Sequence, residues 1–437
     1  MRTGVVSLIY KRGDPDDLGN WRPITMSNTD FKVFAIVLKN RISTVLSELI
    51  GPYQTCNVQG RSIYDNLSFL RDNVNSGNGA LLNLDQENAY PNVDHGYMLA
   101  ALAAYNFPPK FCSYIKLMYT DIGVYINYGG GLTAWIPFEK GVKQGDPMAS
   151  ALFILCIEPM LRRVHRRMLE IAPGPFPGSP GTNLSVYADD TVPLVSHPDQ
   201  FTVIDEELAT YGRFSGGRVK ISKCEVCPLG TWRSRDIRSR FNVVEGTKIL
   251  GLYFGTNCDP NWSILMTKFK TKLEHYKKSN ATSLFSKVLI LNTFILPVLW
   301  YVLKVLEPPF SFLSEIERLC LEYIWGGKKW VRKQFVFAPT ENGGLGVRHP
   351  QVQTLSFRMR MIQKVIGPSS SEYFLGTVKR SCESIIFSTL SPTPFYKSVA
   401  EAALKMRVEL SGCPEGYEKS ISLENGVIFS NQFRIMK

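Results

Sequence analysis

Residues Leu184–Val195 read LSVYADDTVPLV, two short apolar runs on either side of an acidic pair. The runs have the length and β-branched content of strands, so they predict a β-hairpin with Asp189 and Asp190 at its turn. A third acidic residue, Asp85, ends the apolar run from Ala80 to Leu84. That pattern predicts a buried strand that delivers a carboxylate to an open sheet edge.

Carboxylates carried by separate strands can converge on one point in space. Nucleotidyl transfer needs such a point, where two divalent ions activate a primer 3′-hydroxyl and hold a triphosphate. Hard carboxylate oxygens suit Mg²⁺. An Asp-Asp pair in a turn is a weak signal by itself, since turns favour Asp for their own hydrogen bonds. A plain acidic turn therefore stays open as the alternative from these residues alone.

The composition is that of a globular chain of several domains. It has 437 residues, 44% hydrophobic and 20% charged, so it can bury a large core. The formal net charge of +12 favours a polyanionic partner such as nucleic acid. A basic, soluble surface is the alternative reading of that charge.

Cysteine use and the apolar runs favour an intracellular protein. The nine cysteines are mostly single and lie in apolar stretches, which indicates a reducing compartment, and Cys224 and Cys227 are predicted to be free thiols. The apolar start, Met1–Lys11, is predicted to be a strand and not a signal peptide. Val288–Leu303 falls short of the roughly 20 residues of a membrane span, so we predict a buried helix and no membrane partner.

The spacing of apolar residues and the positions of Gly and Pro predict the remaining elements. Helical spacing covers Phe31–Leu49, a stretch after Arg61, Met148–Leu169 and Asp199–Ser215. Pro91 is expected in the first turn of a helix, and Lys248–Phe254 is expected to be a strand. Val124–Tyr128 and Leu132–Phe138 predict a second hairpin. The Pro/Gly/Ser-rich stretch from Ala172 to Gly181 predicts an exposed connection, and the chain after Trp262 is mainly helical, with Trp325 and Trp330 in its core.

The motifs and their order resemble those of LINE-type (non-LTR) retrotransposon reverse transcriptases. The resemblance covers roughly residues 5 to 365. The first acidic motif, LDQENAYPNVDH, is closest to the branch of the family that reads LDQEKAFDRVDH. The other segments that carry the resemblance are KRGD from Lys11, NWRPI from Asn20, GRSIYDN from Gly60, GVKQGDP from Gly141, YADD, ILGLYFG from Ile249, YIWGGKKW and ENGGLGVRHP.

The resemblance implies an α+β right-hand polymerase. Fingers and a palm with an antiparallel sheet would fill residues 1–255, a helical thumb 256–330, and a mostly helical extension 331–437. The implied activity is RNA-directed DNA polymerase: addition of dNTPs to a DNA primer 3′-end on an RNA template, with two Mg²⁺ ions or Mn²⁺ in their place. The location would be the nucleus or a cytoplasmic ribonucleoprotein, without secretion. The oligomeric state stays open.

The resemblance also implies roles for individual residues. Asp85, Asp189 and Asp190 would be catalytic metal ligands, together with the backbone carbonyl of Gln86. Tyr90 would lie against the sugar of the incoming nucleotide and exclude a 2′-hydroxyl. The remaining implied contacts to nucleotide and template are Gln144, Gly145, Arg22, Lys11 and Lys223.

The chain departs from the family pattern in two ways. Asn88, Pro91 and Asn92 replace the usual Lys, Asp and Arg of the first acidic motif, and Pro193 removes a ladder donor from the strand after YADD. The chain also has no room for the family's endonuclease, so we expect a truncated retrotransposon product. Two alternatives follow: a catalytically decayed nucleic-acid-binding remnant, and an RNA-synthesising polymerase, against which Tyr90 argues.

Overall fold

The chain divides into two units. The computed structural model describes residues 3–11, 13–173, 183–237, 239–255, 259–278, 283–326, 331–366 and 395–399. One unit comprises Met1–Asn66 and Asn73–Leu250, and the other comprises Leu67–Asp72 and Gly251–Lys437. The predicted boundaries between palm, thumb and C-terminal extension remain predictions.

The first unit has thirteen described strands, and all but the last of them form three sheets. Their bounds are β1 Thr3–Tyr10, β2 Trp21–Ser27, β3 Gly79–Asn83, β4 Gln86–Glu87, β5 Gly123–Tyr128, β6 Gly131–Leu132, β7 Ile136–Pro137, β8 Leu184–Tyr187, β9 Asp190–Val195, β10 Arg218–Val219, β11 Glu225–Leu229, β12 Asn242–Val243 and β13 Gly246–Ile249. The central sheet has the order β12-β11-β3-β9-β8, a second has β2-β1-β5-β6 with β7 also on β5, and β10 pairs with β4. Both predicted hairpins are confirmed, as β8 with β9 and as β5 with β6 and β7.

Seven α-helices begin in the first unit's part of the described chain. They are α1 Thr29–Ser43, α2 Leu46–Leu49, α3 Ile63–Ser76, α4 His95–Ala104, α5 Pro109–Tyr119, α6 Ala149–Ile171 and α7 Gln200–Ser215. The predictions of α6, of α7 and of a helix after Arg61 are confirmed. A capping box at Ser62 and Asp65 explains where α3 begins. α6 packs against α4 and α7, and all residues from Ala151 to Glu158 are buried.

Two predicted elements were wrong in their bounds. The helix predicted over Phe31–Leu49 is broken, because the Ser43 and Thr44 hydroxyls donate to carbonyls of the preceding turn, a pattern that bends helices. The strand predicted over Lys248–Phe254 is interrupted, since Leu250 and Gly251 have φ of +47° and +88°. The predicted connection between Ala172 and Gly181 lies mainly outside the described residues, as does Trp330.

Pro91 does not start a helix. It lies in a turn that closes when the Asn92 N–H donates to the Asn88 carbonyl at 3.0 Å. α4 begins after it, at His95, where the Asp94 side chain accepts from the Tyr97 N–H at 2.7 Å. The capping carboxylate, and not the proline, sets the start of this helix.

The second unit is mainly helical, as predicted. It contains β14 Leu252–Gly255, α8 Asp259–Lys277, α9 Leu284–Ile290, α10 Pro297–Leu303, α11 Phe310–Trp325, α12 Lys333–Phe337 and α13 Pro350–Ile366. Its core holds the fully buried Arg358, which donates to the carbonyls of Leu303 and Leu306 at 2.7 and 3.0 Å. Burial lowers the pKa of Arg358 to about 10, and the Glu307 carboxylate opposes that shift.

One helical stretch in the described part of the chain is long and apolar enough to cross a membrane. It runs from Leu284 to Leu303, 20 residues with a mean hydropathy of 1.7. The sequence expectation of a shorter element was wrong, because a π-helical turn at Leu291–Ile295 carries the helix past Asn292 and up to Pro297. A core helix of a soluble protein passes the same test, and Leu291, Ile295 and Leu299 are fully buried within the second unit.

Helices α6 and α7 are joined by an ion cluster around Glu207. Arg163 donates to both carboxylate oxygens of Glu207 at 2.6 and 3.0 Å, and Arg167 donates at 2.8 Å. Burial alone would raise the pKa of Glu207, but the two guanidinium groups outweigh it and hold this pKa below its ordinary value.

The cluster makes stability depend on pH. The pKa of Glu207 is lower in the folded chain than in the unfolded chain. The ionised carboxylate therefore adds to the free energy of unfolding at pH values above the unfolded pKa, and this contribution is lost as the pH falls through the folded pKa. We expect Glu207→Gln to lower the free energy of unfolding at pH 7, and the gap from the parent chain to narrow as the pH falls below about 4. Urea unfolding of both chains at a series of pH values measures this difference in the free energy of unfolding. Glu170→Gln, which removes an exposed ion pair with Arg166, is the control. A difference in the free energy of unfolding that does not change with pH would contradict the role given to Glu207.

Candidate active site

The register of β3 on β9 places Asp85 opposite Asp190. The antiparallel partners are Ala80–Val195, Leu81–Leu194 and, past the end of β3, Leu84–Thr191. One further step along this register pairs Asp85 with Asp190. Directly opposite residues of an antiparallel pair point to the same face with Cβ atoms about 4.5–5.5 Å apart. Extension of this register therefore brings two of the predicted acidic residues together at one end of the central sheet.

Pro193 interrupts the ladder but does not shift it. The pairs on both sides of the proline belong to one register, and the gap falls at the positions opposite Val192 and Pro193. On its other side, β9 keeps its pairing with β8, where Pro193 lies opposite Leu184. The departure from the family pattern therefore leaves the acidic residues in place.

The YADD segment is a two-residue hairpin turn. Tyr187 pairs with Asp190, so Ala188 and Asp189 are the two turn residues. Ala188 has a φ of +56°, the left-handed region that two-residue hairpins use to match the twist of their strands. The turn thus presents the half-buried Asp189 side chain near the end of β3.

Asp85 is held by the segment between β10 and β11. Its N–H donates to the Cys224 sulfur at 3.3 Å, and its carbonyl accepts from the Lys220 N–H at 2.9 Å. The Lys223 Nζ lies 3.8 Å from the Asp85 carboxylate. The predicted lysine therefore stands beside the first acidic residue, and Cys224, a free thiol as predicted, is a part of the site that the sequence did not indicate.

Gln86 continues the chain from Asp85 towards the acidic turn. The backbone of Gln86 belongs to β4, where it lies opposite Val219 of β10. The Gln86 side-chain amide also donates to the Asp189 carbonyl at 3.5 Å. This hydrogen bond places the Gln86 side chain next to the acidic turn.

The three carboxylates act on one another electrostatically. Burial, with the Asp189 and Asp85 charges, raises the pKa of Asp190 to about 6, and Lys11 opposes the shift. Burial raises the pKa of Asp189 as well, the Asp85 charge adds to it, and Lys11 and Arg22 oppose it. The structure therefore brings the three predicted acidic residues within electrostatic range of the two predicted cations, Lys11 and Arg22.

Tyr90 lies against the wall of the same site. Its ring stacks on Phe153 of α6 with centroids 4.5 Å apart and an interplanar angle of 13°. Burial raises the pKa of Tyr90 to about 12, with the Ser150 hydroxyl opposing and the Asp189 charge adding to the shift. The ring is therefore fixed by packing and lies within the electrostatic field of the acidic turn.

The GVKQGDP loop connects Tyr90 to β2. The Val142 N–H donates to the Tyr90 carbonyl at 2.9 Å, and the Thr25 N–H donates to the Gln144 carbonyl at 2.7 Å. Gly145 has a φ of +104°, and a Cβ there would lie 2.7 Å from the Thr25 carbonyl oxygen. The loop needs glycine at this position because both its backbone conformation and its contact with β2 exclude a side chain.

The asparagines of the first acidic motif form a turn of their own. Asn88 has a φ of +47°, which asparagine tolerates better than most residues. The Asn92 side chain donates to the Glu87 carbonyl at 2.7 Å and accepts from Lys140 at 3.3 Å. Hydrogen bonds of the turn therefore replace the charges that the family usually has here.

Gln54 contacts the acidic turn, and sequence reasoning missed it. Its side chain is fully buried and makes hydrogen bonds with both the N–H and the carbonyl of Ala188. The two residues are 134 positions apart, and nothing in the stretch YQTC marks a contact with YADD.

A family model described as Reverse transcriptase (RNA-dependent DNA polymerase) matches residues 9–254, more than half of the chain. The chain belongs to this family. Over 383 residues it is 32% identical to the transposon TX1 uncharacterized 149 kDa protein of Xenopus laevis, a match over 84% of this chain and 29% of that protein. Over 312 residues it is 23% identical to a retrovirus-related Pol polyprotein from type-2 retrotransposable element R2DM of Drosophila melanogaster, over 66% of this chain and 28% of that protein.

The names of these relatives place the chain in the LINE-type (non-LTR) branch of the reverse transcriptase family. Its mixture of helices and sheets agrees with the predicted α+β fold class. It spans under a third of the length of the two relatives. Among solved structures it is similar to telomerase from Candida albicans in complex with a TWJ fragment of telomeric RNA. That likeness covers 92% of this chain and 66% of the other, with 11% identity and a TM-score of 0.46.

Reverse transcriptases use divalent metal ions, and the donors at this site are of the right kind. Carboxylate and carbonyl oxygens are the hard ligands that such ions prefer. Within the described ranges, no three His, Cys, Asp or Glu side chains already lie close enough to hold an ion by themselves. A bound ion would therefore draw some of its ligands from backbone, water or substrate.

The loop at Gly145 gives a test of this geometry. We expect Gly145→Ala to lower the free energy of unfolding about 1–3 kcal/mol more than Gly130→Ala does. Both glycines have positive φ, but a Cβ at Gly130 meets nothing within 4 Å, whereas one at Gly145 meets the Thr25 carbonyl. Urea unfolding of the two variants measures the difference, and equal losses would show that the close contact with β2 has no energetic weight.

Proposed function

We propose that this chain is an active RNA-directed DNA polymerase, which adds dNTPs to the 3′-end of a DNA primer along an RNA template. The observation that carries the proposal is the meeting of Asp85 with Asp189 and Asp190, opposite Lys11 and Arg22. Acidic residues that face cations across a site suit a reaction between metal-bound oxygens and a triphosphate.

Asp85, Asp189 and Asp190, with the Gln86 carbonyl, would hold two Mg²⁺ ions, for which Mn²⁺ could substitute. Bound ions would lower the pKa of the primer 3′-hydroxyl and neutralise the charge of the leaving pyrophosphate. The placement of Asp85 opposite Asp190 supports this role, since ligands from two strands approach an ion from two sides.

The basic residues would bind the triphosphate. Arg22 presents a fork of donors that matches phosphate oxygens, and Lys11 adds a second charge. In the reaction, the primer 3′-oxygen forms a bond to the α-phosphorus, and the bond from that phosphorus to the β-phosphate oxygen breaks. Lys223 stands beside Asp85 and would donate a proton to the departing pyrophosphate.

Tyr90 and the GVKQGDP loop would select and orient the nucleotide. The Tyr90 ring, fixed by its stacking on Phe153, would lie against the sugar and leave no room for a 2′-hydroxyl. Gln144 would position the nucleotide against the template, and Gly145 would let the backbone approach it. The net charge of +12 suits binding of an RNA template and a DNA primer.

Primer extension on an RNA template tests the proposal. We expect Asp189→Asn to lower the rate of dNTP addition by about a thousandfold or more, because a metal-binding carboxylate is lost while the size of the side chain is kept. Asp199→Asn, an exposed aspartate before α7, is the matched control and should leave the rate unchanged. Template binding without extension by the parent chain would support a decayed nucleic-acid-binding remnant instead.

Sugar selection tests the assignment of Tyr90. We expect Tyr90→Ala to reduce the preference for dNTPs over rNTPs by about tenfold or more, since the wall that excludes the 2′-hydroxyl is removed. The ratio of kcat/KM for a dNTP to kcat/KM for the matching rNTP measures this preference. Tyr128→Ala, at a side chain that is 78% exposed, is the control. A parent chain that prefers rNTPs would identify an RNA-synthesising polymerase.

A further inference from the structure

We infer that Gln54 is a positioning residue, which holds the Ala188–Asp189 turn in the conformation that presents the Asp189 carboxylate. The inference rests on the proposed function for its catalytic consequence and on hydrogen bonds of the first unit for its geometry. Gln54 lies in the chain between α2 and α3 and is fully buried.

The Gln54 amide binds both polar groups of one residue of the turn. The Ala188 N–H donates to Gln54 Oε1 at 3.0 Å, and Gln54 Nε2 donates to the Ala188 carbonyl at 3.3 Å. The Cys56 N–H also donates to Oε1, at 3.0 Å. An amide is required for this arrangement, because the same side chain must accept from two N–H groups and donate to one carbonyl.

Ala188 is the residue of the turn that most needs such support. Its φ of +56° lies in the left-handed region, which glycine adopts freely and alanine does not. If Ala188 relaxed to a right-handed conformation, the peptide plane between Ala188 and Asp189 would rotate and the Asp189 side chain would be redirected. Gln54 opposes that rotation because it holds both ends of the Ala188 backbone.

The segment that carries Gln54 is itself fixed against β8. Gln54 forms a parallel bridge with Val186, with the Thr55 N–H donating to the Val186 carbonyl at 3.1 Å and the Val186 N–H donating to the Tyr53 carbonyl at 2.9 Å. Arg61 donates to the carbonyls of Gln54 and Gly51 at 2.8 and 2.5 Å. The amide is therefore presented from a rigid support, as a positioning role requires.

Two variants and a matched control separate positioning from a general loss of stability. Gln54→Leu keeps the approximate size of the side chain and removes its three hydrogen bonds. Gln200→Leu removes an equivalent set, since the fully buried Gln200 accepts from the Ser196 and His197 N–H groups and donates to the Met168 carbonyl at 2.8 Å. Gln200 follows the C-terminal end of β9, whereas the acidic turn lies at the N-terminal end of that strand. The six residues of β9, Asp190–Val195, therefore separate the control from the turn.

The kinetic measurement is steady-state primer extension with dNTPs, beside the Kd of the template–primer. We expect Gln54→Leu to lower kcat at least about tenfold, with the Kd of the template–primer unchanged. Gln200→Leu should leave kcat within about twofold of the parent value. Equal kcat losses in the two variants would overturn the inference.

A second substitution tests the mechanism directly. Ala188→Gly removes the conformational penalty that Gln54 offsets, so we expect Gln54→Leu with Ala188→Gly to recover a large part of the kcat that Gln54→Leu alone loses. The single variant Ala188→Gly supplies the reference kcat for the double variant. A double variant no more active than Gln54→Leu would show that Gln54 acts in some other way than through the turn.

Hydrogen exchange at the Ala188 amide gives a readout that does not depend on activity. We expect Gln54→Leu to speed exchange in the peptide that covers Leu184–Val195, and Gln200→Leu to leave the Ala188 amide protected. A parent chain without extension activity would refute the proposed function while this comparison still tests the positioning. Unchanged protection in Gln54→Leu would refute the positioning itself.

Discussion

The pairing of β3 with β9 is the constraint on which the site depends. A hydrogen bond from the Leu84 N–H to the Thr191 carbonyl, 3.0 Å long, fixes the register at the end where Asp85 and Asp190 follow. A slip of one residue would turn Asp85 to the other face of the sheet and away from Asp190. The register is enforced by burial, since every residue of β3 before Asn83 is buried and cannot be moved towards solvent without loss.

The same pairing creates an electrostatic cost that the rest of the first unit offsets. Three carboxylates lie within one another's field, and burial with mutual repulsion raises the pKa values of Asp189 and Asp190. Lys11, Arg22 and Lys223 reduce that cost from outside the central sheet. Like charges held close together are typical of sites that bind cations, where stability is given up for function.

Local sequence patterns predicted the acidic hairpin correctly, but they predicted the ends of the neighbouring helices less accurately. The YADD hairpin and α6 follow from short-range signals: apolar runs around turn residues, and helical periodicity. The positions of Pro91 and of the break after Ser43 did not follow, because hydroxyl and carboxylate side chains there form hydrogen bonds that compete with helix propensity. The length of Leu284–Leu303 depended on a π-helical turn, which no periodicity in the residues indicates.

The order of motifs along the chain was enough to assign the family and to predict the three acidic residues, because each is a matter of residue type at a local position. The contacts of Gln54 with Ala188 and of Cys224 with Asp85 were decided by the tertiary structure alone. Those partners are 134 and 139 positions apart. Amphipathic periodicity reports which face of an element is buried, and it carries no information on which distant backbone group a buried amide or thiol will meet once the sheet has formed.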